Sequence, residues 1–63
     1  MNTITDLTAV IDLRDDDGRL IAYAGPSYDG TGTWVVRQVG YAMEKQPDRL
    51  ASLARLKEIG ELR

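Results

Sequence analysis

The stretch "GPSYDGTGTW" at residues 25–34 has a composition typical of a ligand-binding loop. Gly25 and Gly30 have the spacing of the first two glycines of a phosphate-binding loop, where glycines let backbone N–H groups approach the phosphates. Thr31 stands where that motif needs a lysine, and Pro26 lacks a backbone N–H. The sequence therefore favours a turn, and the alternative is a small-ligand or anion binder that uses the loop from Gly25 to Thr33.

The acidic run "DLRDDDG" at residues 12–18 is the second candidate site, because calcium prefers carboxylate ligands. An EF-hand loop with its glycine at Gly18 would need a carboxylate at position 13 and a bidentate glutamate at position 24. Leu13 and Ala24 occupy those positions, and the chain has no Cys and no His to bind zinc, iron or copper. We expect a solvated turn, no metal and no cofactor.

Catalytic groups are few in this sequence. Without His or Cys, acid–base catalysis would fall to Asp, Glu, Lys or Tyr with strongly shifted pKa values. A chain of 63 residues has little interior in which to produce such shifts. The sequence therefore predicts a protein that is not an enzyme, with no catalytic residues.

Aromatic residues with polar tips form the last functional candidate. Tyr28 lies within the glycine-rich loop, Trp34 at its end and Tyr41 shortly after it. Such side chains are enriched at the energetic centres of protein interfaces. We therefore take Tyr28, Trp34 and Tyr41 as candidate partner-binding residues, with the alternative that Trp34 covers the small core.

A β-hairpin is predicted to precede the loop. Residues 7–13 alternate apolar and polar side chains, and residues 19–24 form a second apolar run. The intervening "DDDG" suits a three-residue turn with Gly18 in the left-handed conformation. That turn favours a register that gathers the larger apolar residues on one face, with the pairs Asp15–Arg19, Leu13–Ile21 and Ile11–Tyr23. A two-residue turn would instead pair Ile11 and Leu13 with alanines.

Residues 33–46 fit two interpretations. Valine-rich composition favours a strand, whereas apolar residues at i, i+1, i+4, i+7 and i+8 favour an amphipathic helix. The helical stripe consists of Val35, Val36, Val39, Ala42 and Met43. Thr33 suits its N-cap, and the residue before a proline, Gln46, suits its end. We predict a helix here, with a strand as the alternative.

A second helix is predicted from Pro47 to Leu62, with Asp48 placing a negative charge near its N-terminus. Its large apolar residues recur at every third position, so the stripe winds around the helix by about 60° per step. One neighbouring element cannot cover such a stripe. The sequence predicts a homodimer whose contact residues are Leu56, Ile59 and Leu62.

Length and charge limit the classes of protein that remain. A chain of 63 residues forms one domain, residues 1–63, near the size at which core burial is marginal, so self-association is the remaining means of stabilisation. Eight scattered basic residues against ten acidic ones argue against nucleic-acid binding. No apolar run approaches the roughly 20 residues that span a bilayer, and no leader pattern is present. We expect a cytoplasmic protein with no membrane partner.

The predicted architecture is α+β, with an N-terminal antiparallel β-hairpin followed by a two-helix hairpin packed on one face. The alternative is a three-stranded antiparallel meander with one C-terminal helix. The leading functional hypothesis is a non-enzymatic protein-interaction module, a small regulator or inhibitor that binds an unidentified protein partner. The anion binder is the second hypothesis, and a DNA-binding regulator, suggested by the predicted helix pair, is the third.

Overall fold

Five strands and one helix make up residues 2–62, the part of the chain that the computed structural model describes. The strands are β1 Thr3–Asp6, β2 Ile11–Arg14, β3 Leu20–Pro26, β4 Trp34–Gln38 and β5 Glu44–Gln46, and the helix is α1 Arg49–Glu61. Each strand pairs antiparallel with the next, in the order β1-β2-β3-β4-β5. The helix covers one face of this sheet, packing mainly over β3 and β4.

The core lies between α1 and the sheet, and it is built of small residues in the middle with larger ones around them. Ala22 and Ala24 on the central strand are fully buried, and so is Ser52 on the helix. Ser52 Oγ donates to the Asp48 carbonyl at 3.0 Å, which satisfies this buried hydroxyl. The surrounding buried residues are Ile11, Leu13, Ile21, Val36, Leu56 and Ile59. Small residues on the central strand leave the room that the helix needs to approach the sheet.

The turn between β2 and β3 confirms one part of the predicted hairpin and corrects another. Gly18 has a φ of 82°, and the Asp15 N–H donates to the Arg19 carbonyl at 3.0 Å, as the three-residue turn predicted. A bulge then shifts the pairing, so that Leu13 lies opposite Ala22 and Ile11 lies opposite Ala24. The predicted pairs Leu13–Ile21 and Ile11–Tyr23 are therefore wrong, because the bulge between Leu13 and Arg14 shifts the register by one residue.

The first predicted strand was also placed too early. The segment from Leu7 to Val10 is a turn, in which the Leu7 N–H donates to the Val10 carbonyl at 2.8 Å. The strand before this turn, β1, pairs with β2 and was not predicted. Its residues, TITD, include two threonines and an isoleucine, which favour extended structure.

The predicted helix over residues 33–46 is wrong, because this segment forms the β4–β5 hairpin. Of the proposed apolar stripe, Val36 is buried, whereas Val39, Ala42 and Met43 are exposed. Gly40 has a φ of 90°, which a helix interior does not accommodate. The β propensity of Trp34, Val35 and Val36 is realised because β3 offers these residues a hydrogen-bonded neighbour.

The fold class is therefore a five-stranded antiparallel sheet followed by one C-terminal helix, and the predicted hairpin with a two-helix hairpin is wrong. The alternative of a meander with one helix has the right arrangement but lacks β1 and β5. A lone two-stranded hairpin is marginally stable in water, and the meander avoids this by giving each inner strand two neighbours. The helix pair that suggested DNA binding is absent from residues 2–62.

The C-terminal helix is confirmed, with Asp48 as its N-cap. The Asp48 carboxylate accepts a hydrogen bond from the Ala51 N–H at 2.8 Å, which satisfies one of the free donors of the first turn. The winding of its apolar stripe is visible in the exposed fractions of the side chains. Leu56 and Ile59 are buried in the middle, while Leu50 and Leu62 at the two ends are 73% and 78% exposed. No helix within residues 2–62 is long and apolar enough to cross a membrane.

Candidate protein-interaction surface

The glycine-rich stretch forms the hairpin loop between β3 and β4, residues 27–33, which we call the tyrosine loop. The Asp29 carboxylate organises it by accepting hydrogen bonds from Ser27 Oγ at 2.8 Å, Thr31 N at 3.0 Å and Thr31 Oγ1 at 2.5 Å. Hydrogen bonds from Thr31 and then Ser27 hold the pKa of the Asp29 carboxyl well below its usual range. Lys45 Nζ, on the neighbouring strand β5, lies 3.7 Å from Asp29 Oδ2 and adds a smaller effect in the same direction.

This hydrogen bonding bears on the anion-binding hypothesis for residues 25–33. Gly25 and Pro26 belong to β3, and the residues after the loop continue as β4, so no helix N-terminus lies at the loop. Three donors of the loop, Ser27 Oγ, Thr31 N and Thr31 Oγ1, are directed at Asp29 and not at an external anion. The loop therefore carries its own negative charge, and its geometry gives the anion-binding hypothesis no support.

Tyr28 is the exposed aromatic residue of the tyrosine loop. Its side chain is 84% exposed, and its φ of 60° places a residue other than glycine in the left-handed region. Such a conformation costs roughly 1–2 kcal/mol for an L-residue, and the hydrogen bonds around Asp29 hold the chain in it. Tyr28 is thus presented on a loop that is held by internal hydrogen bonds, although it is the single large exposed aromatic side chain there.

The connection between β4 and β5, residues 39–43, is the more apolar of the two loops, and we call it the apolar loop. Three of its side chains lie mostly in water: Val39 is 52% exposed, Tyr41 62% and Met43 57%. Gly40 provides the left-handed conformation at the turn, and the Tyr41 N–H donates to the Gln38 carbonyl at 2.9 Å. The apolar loop therefore concentrates exposed apolar surface within five residues.

Both ends of the apolar loop are fixed to the rest of the fold. Before it, the Val39 N–H donates to the Ile21 carbonyl at 2.9 Å, which ties the loop to β3. After it, Glu44 receives two parallel hydrogen bonds from Arg55 on α1, from Nε at 2.9 Å and from Nη2 at 3.1 Å. These hydrogen bonds lower the pKa of the Glu44 carboxyl and raise that of the Arg55 guanidinium, so both groups are charged at neutral pH.

The structure does not bring the three predicted partner-binding residues together. Tyr28 and Tyr41 lie at opposite ends of β4, a strand of five residues that spans roughly 17 Å. Trp34 is partly buried and packs against the core, in line with the alternative given for it. Tyr41 instead has Val39 and Met43 as its exposed neighbours along the chain, and the helical interpretation had placed those two residues on a buried face. Gly40, a turn residue within an otherwise valine-rich run, is the sequence signal that could have identified them.

The predicted dimer contacts lie in different environments. Leu56 and Ile59 are 0% and 1% exposed within the chain itself, whereas Leu62 is 78% exposed. Only Leu62 of these three has surface to offer another molecule.

The acidic tip of the β2–β3 hairpin uses a carboxylate to stabilise its own turn, because Asp15 Oδ1 accepts hydrogen bonds from the N–H groups of Asp17 and Arg19, each at 2.9 Å. Across residues 2–62, no three acidic side chains are placed so that they could hold a metal ion.

A groove of about 290 Å³ lies between the C-terminal part of α1 and the β1 side of the sheet. We call it the C-terminal groove, and it is lined by Asn2, Ile4, Leu13, Lys57, Gly60 and Glu61. The Asn2 side-chain amide donates to the Gly60 carbonyl at 3.0 Å and ties the start of the chain to the end of the helix. The lining combines an apolar floor with a charged rim.

No protein-family model matches this chain, and comparison with curated proteins and with solved structures gave no match either.

Proposed function

We propose that the protein is a non-enzymatic protein-interaction module, a small regulator or inhibitor that binds a protein partner through the apolar loop. One observation carries the proposal: Val39, Tyr41 and Met43 are each more than half exposed within five consecutive residues. Keeping apolar side chains in water costs free energy that contact with another protein recovers. Exposed apolar side chains that occur singly are normal, whereas a cluster of them is typical of interaction surfaces.

The types of residue in the apolar loop support the same proposal. Tyrosine and methionine are enriched in protein interfaces relative to other surfaces. Tyr41 offers a large ring with a hydroxyl that can be satisfied at the rim of a contact, and Met43 offers a flexible side chain that adapts to an uneven surface. These properties favour Tyr41 as the central contact residue.

The attachment of the loop to the fold also supports binding. Val39 is hydrogen-bonded to β3, and Glu44 is fixed by two hydrogen bonds from Arg55. A loop held in one conformation loses less conformational entropy when a partner binds it. The apolar loop therefore meets a partner in a prearranged form.

The two exposed tyrosines make a matched experiment possible. Tagged wild-type protein, the Tyr41→Ala variant and the Tyr28→Ala variant are each used to capture proteins from the same cell lysate, and the affinity of the captured protein is then measured with purified components. We expect Tyr41→Ala to weaken binding about 30-fold, the effect of losing roughly 2 kcal/mol at a central contact. Tyr28→Ala should bind like wild type, and both variants should melt at the wild-type temperature.

Loss of binding in Tyr28→Ala with retention in Tyr41→Ala would move the contact to the tyrosine loop and contradict the proposal. Equal binding by all three proteins would contradict it as well. Circular dichroism melts run in parallel separate a lost contact from a lost fold.

Self-association forms the second part of the proposed function. The chain is small, and it leaves Leu62 and the C-terminal groove exposed at the same end of α1. A second copy would cover this surface, and a dimer would present two apolar loops to a partner. Binding of two linked sites raises the overall affinity above that of either site alone.

A further inference from the structure

The C-terminal groove and Leu62 are adjacent and have complementary character. Leu62 follows directly after α1 and is 78% exposed, so it does not fill the groove of its own chain. Gly60, two residues earlier, lines that groove, whose floor contains Ile4 and Leu13. A volume of about 290 Å³ has ample room for one leucine side chain. One chain therefore offers both an apolar side chain and a place for one within a few residues.

Because Leu62 lies beside the groove, a two-fold axis can bring each of them to its complement on a second copy. In an isologous dimer the same surface serves both copies, so each exposed group must meet its complement on the identical surface of the other copy. An axis beside the end of α1 would bring the Leu62 of each copy to the groove of the other. Both apolar contacts would then form in one step.

The charges on the rim of the groove fit the same symmetry. Lys57 and Glu61 are one helical turn apart and carry opposite charges. Neither takes part in an ion pair within residues 2–62, although the same helix pairs Arg49 with Asp6 and Arg55 with Glu44. When two copies of α1 meet in antiparallel orientation, Lys57 of each copy faces Glu61 of the other. A second copy of this chain therefore matches the groove in charge as well as in shape.

We propose that the C-terminal groove is a homodimer contact in which Leu62 of each copy enters the groove of the other, flanked by two Lys57–Glu61 pairs. This proposal rests on the self-association included in the proposed function and specifies the residues that produce it. It also revises the sequence-based contact set, because Leu56 and Ile59 are used within the chain.

The first test measures molar mass by light scattering over a range of protein concentrations. Wild type should approach twice its chain mass of 7.0 kDa as the concentration rises. Leu62→Glu should weaken the dimer at least tenfold, because it would place a charge in an apolar groove. Leu50→Glu is the matched control, since Leu50 is an exposed leucine at the other end of the same helix, and it should behave like wild type.

A charge exchange tests the rim. Lys57→Glu alone should weaken the dimer, because it would face Glu61 of the other copy with a like charge. Adding Glu61→Lys restores opposite charges across the axis, so the double variant should recover dimerisation. Because Lys57 and Glu61 are also neighbours on one helix, the unfolding free energies of the single and double variants are measured in parallel, so that a change in helix stability is distinguished from a change in the dimer contact.

A wild-type mass of 7.0 kDa at every concentration would overturn the proposal and leave the groove to a different ligand. An unchanged dimer in Leu62→Glu would overturn it as well, and so would a double variant that does not recover dimerisation. The Tyr41→Ala variant separates this proposal from partner binding. It should dimerise like wild type while binding the partner about 30-fold more weakly, so either property can be lost without the other.

Discussion

Asp29 shows how a single side chain can order an otherwise irregular loop. Its carboxylate gathers three hydrogen bonds from Ser27 and Thr31, and these partners favour its charged form. In a phosphate-binding loop the donors point at an external anion. In the fold, the anion is part of the loop, because Asp29 lies within hydrogen-bonding reach of the same donors.

Protonation of Asp29 gives the first prediction. Because the fold depresses the pKa of this carboxyl below its ordinary value of 3.8, the unfolded chain takes up the proton first as the pH falls. The stabilisation from Asp29 is therefore complete above the ordinary value and is lost as the pH falls through the lower value of the folded state. The difference in unfolding free energy between wild type and Asp29→Asn should shrink as the pH is lowered from about 5 to about 2.

Urea denaturation at a series of pH values measures this difference, and a carbon-13 titration of the Asp29 carboxyl checks the pKa directly. A difference that stays constant with pH, or a titration midpoint at the ordinary value for aspartate, would show that the hydrogen bonds around Asp29 do not form in solution.

Gly40 gives the second prediction, because it sets the path of the apolar loop. Its φ of 90° is unfavourable for any residue with a Cβ, even though no atom lies within 4 Å of the position that a Cβ would take. Gly40→Ala should therefore lower the unfolding free energy by about 1–2 kcal/mol through backbone strain alone. Gly25→Ala is the control, since Gly25 has no positive φ and an added Cβ would make ordinary contacts of 3.7 Å and 3.9 Å. Equal losses of stability in chemical denaturation of both variants would exclude backbone strain as the cause.

At the scale of the elements, the structure confirms the turn and the helix that neighbouring residues specify, and it corrects the segment whose structure depends on a distant strand. Neighbouring residues specify the β2–β3 turn, through Gly18, and α1, so the sequence predicted both. Asp48 was predicted only as a charge near the start of the helix, and in the structure it is the N-cap. The β4–β5 hairpin depends on the non-local pairing of β4 with β3, and its valines satisfy a helical period by coincidence. Gly40 and the valine-rich composition were the local signals for the hairpin. The apolar loop was missed for the same reason, because a helix would have turned Val39 and Met43 inwards.

The link between β5 and α1 gives the third prediction. β5 has only three residues and pairs with β4 on one side, so the hydrogen bonds from Arg55 to Glu44 are a large part of its attachment. Arg55→Met keeps much of the side-chain volume but removes these hydrogen bonds. Amide hydrogen exchange should become faster in residues 44–46 and remain unchanged in β2 and β3.

Arg49→Met is the control for this experiment, because Arg49 lies on the same helix and pairs with Asp6 of β1 and not with β5. If exchange in β5 responds equally to both substitutions, the effect comes from the helix surface in general. Arg55→Met leaves Tyr41 unchanged, so weaker partner binding by this variant would show that the attachment of the apolar loop to α1 contributes to binding.

At the scale of the whole molecule, the core is a single layer of side chains between one helix and one sheet. A domain of this length has an unfolding free energy of only about 3–9 kcal/mol, at roughly 0.05–0.15 kcal/mol per residue. Core residues such as Leu56 and Ile59 are therefore each responsible for a large share of the total. The proposed contacts of Tyr41 and Leu62 with other molecules would add buried apolar surface that a chain of this size does not provide alone.

Two leucines of α1 allow the contribution of core residues to the stability to be measured. Leu56 is 0% exposed and Leu50 is 73% exposed, so the same substitution at each position removes the same atoms from opposite environments. Leu56→Ala should lower the unfolding free energy by about 2–5 kcal/mol, enough to leave a large fraction of the chain unfolded at room temperature. Leu50→Ala should change it by less than about 0.5 kcal/mol, as exposed substitutions usually do. Chemical denaturation followed by circular dichroism gives both values, and raising the protein concentration should partly restore Leu56→Ala if the dimer forms, because association stabilises only the folded chain. Similar losses at the two positions would mean that α1 does not pack on the sheet through the face that contains Leu56.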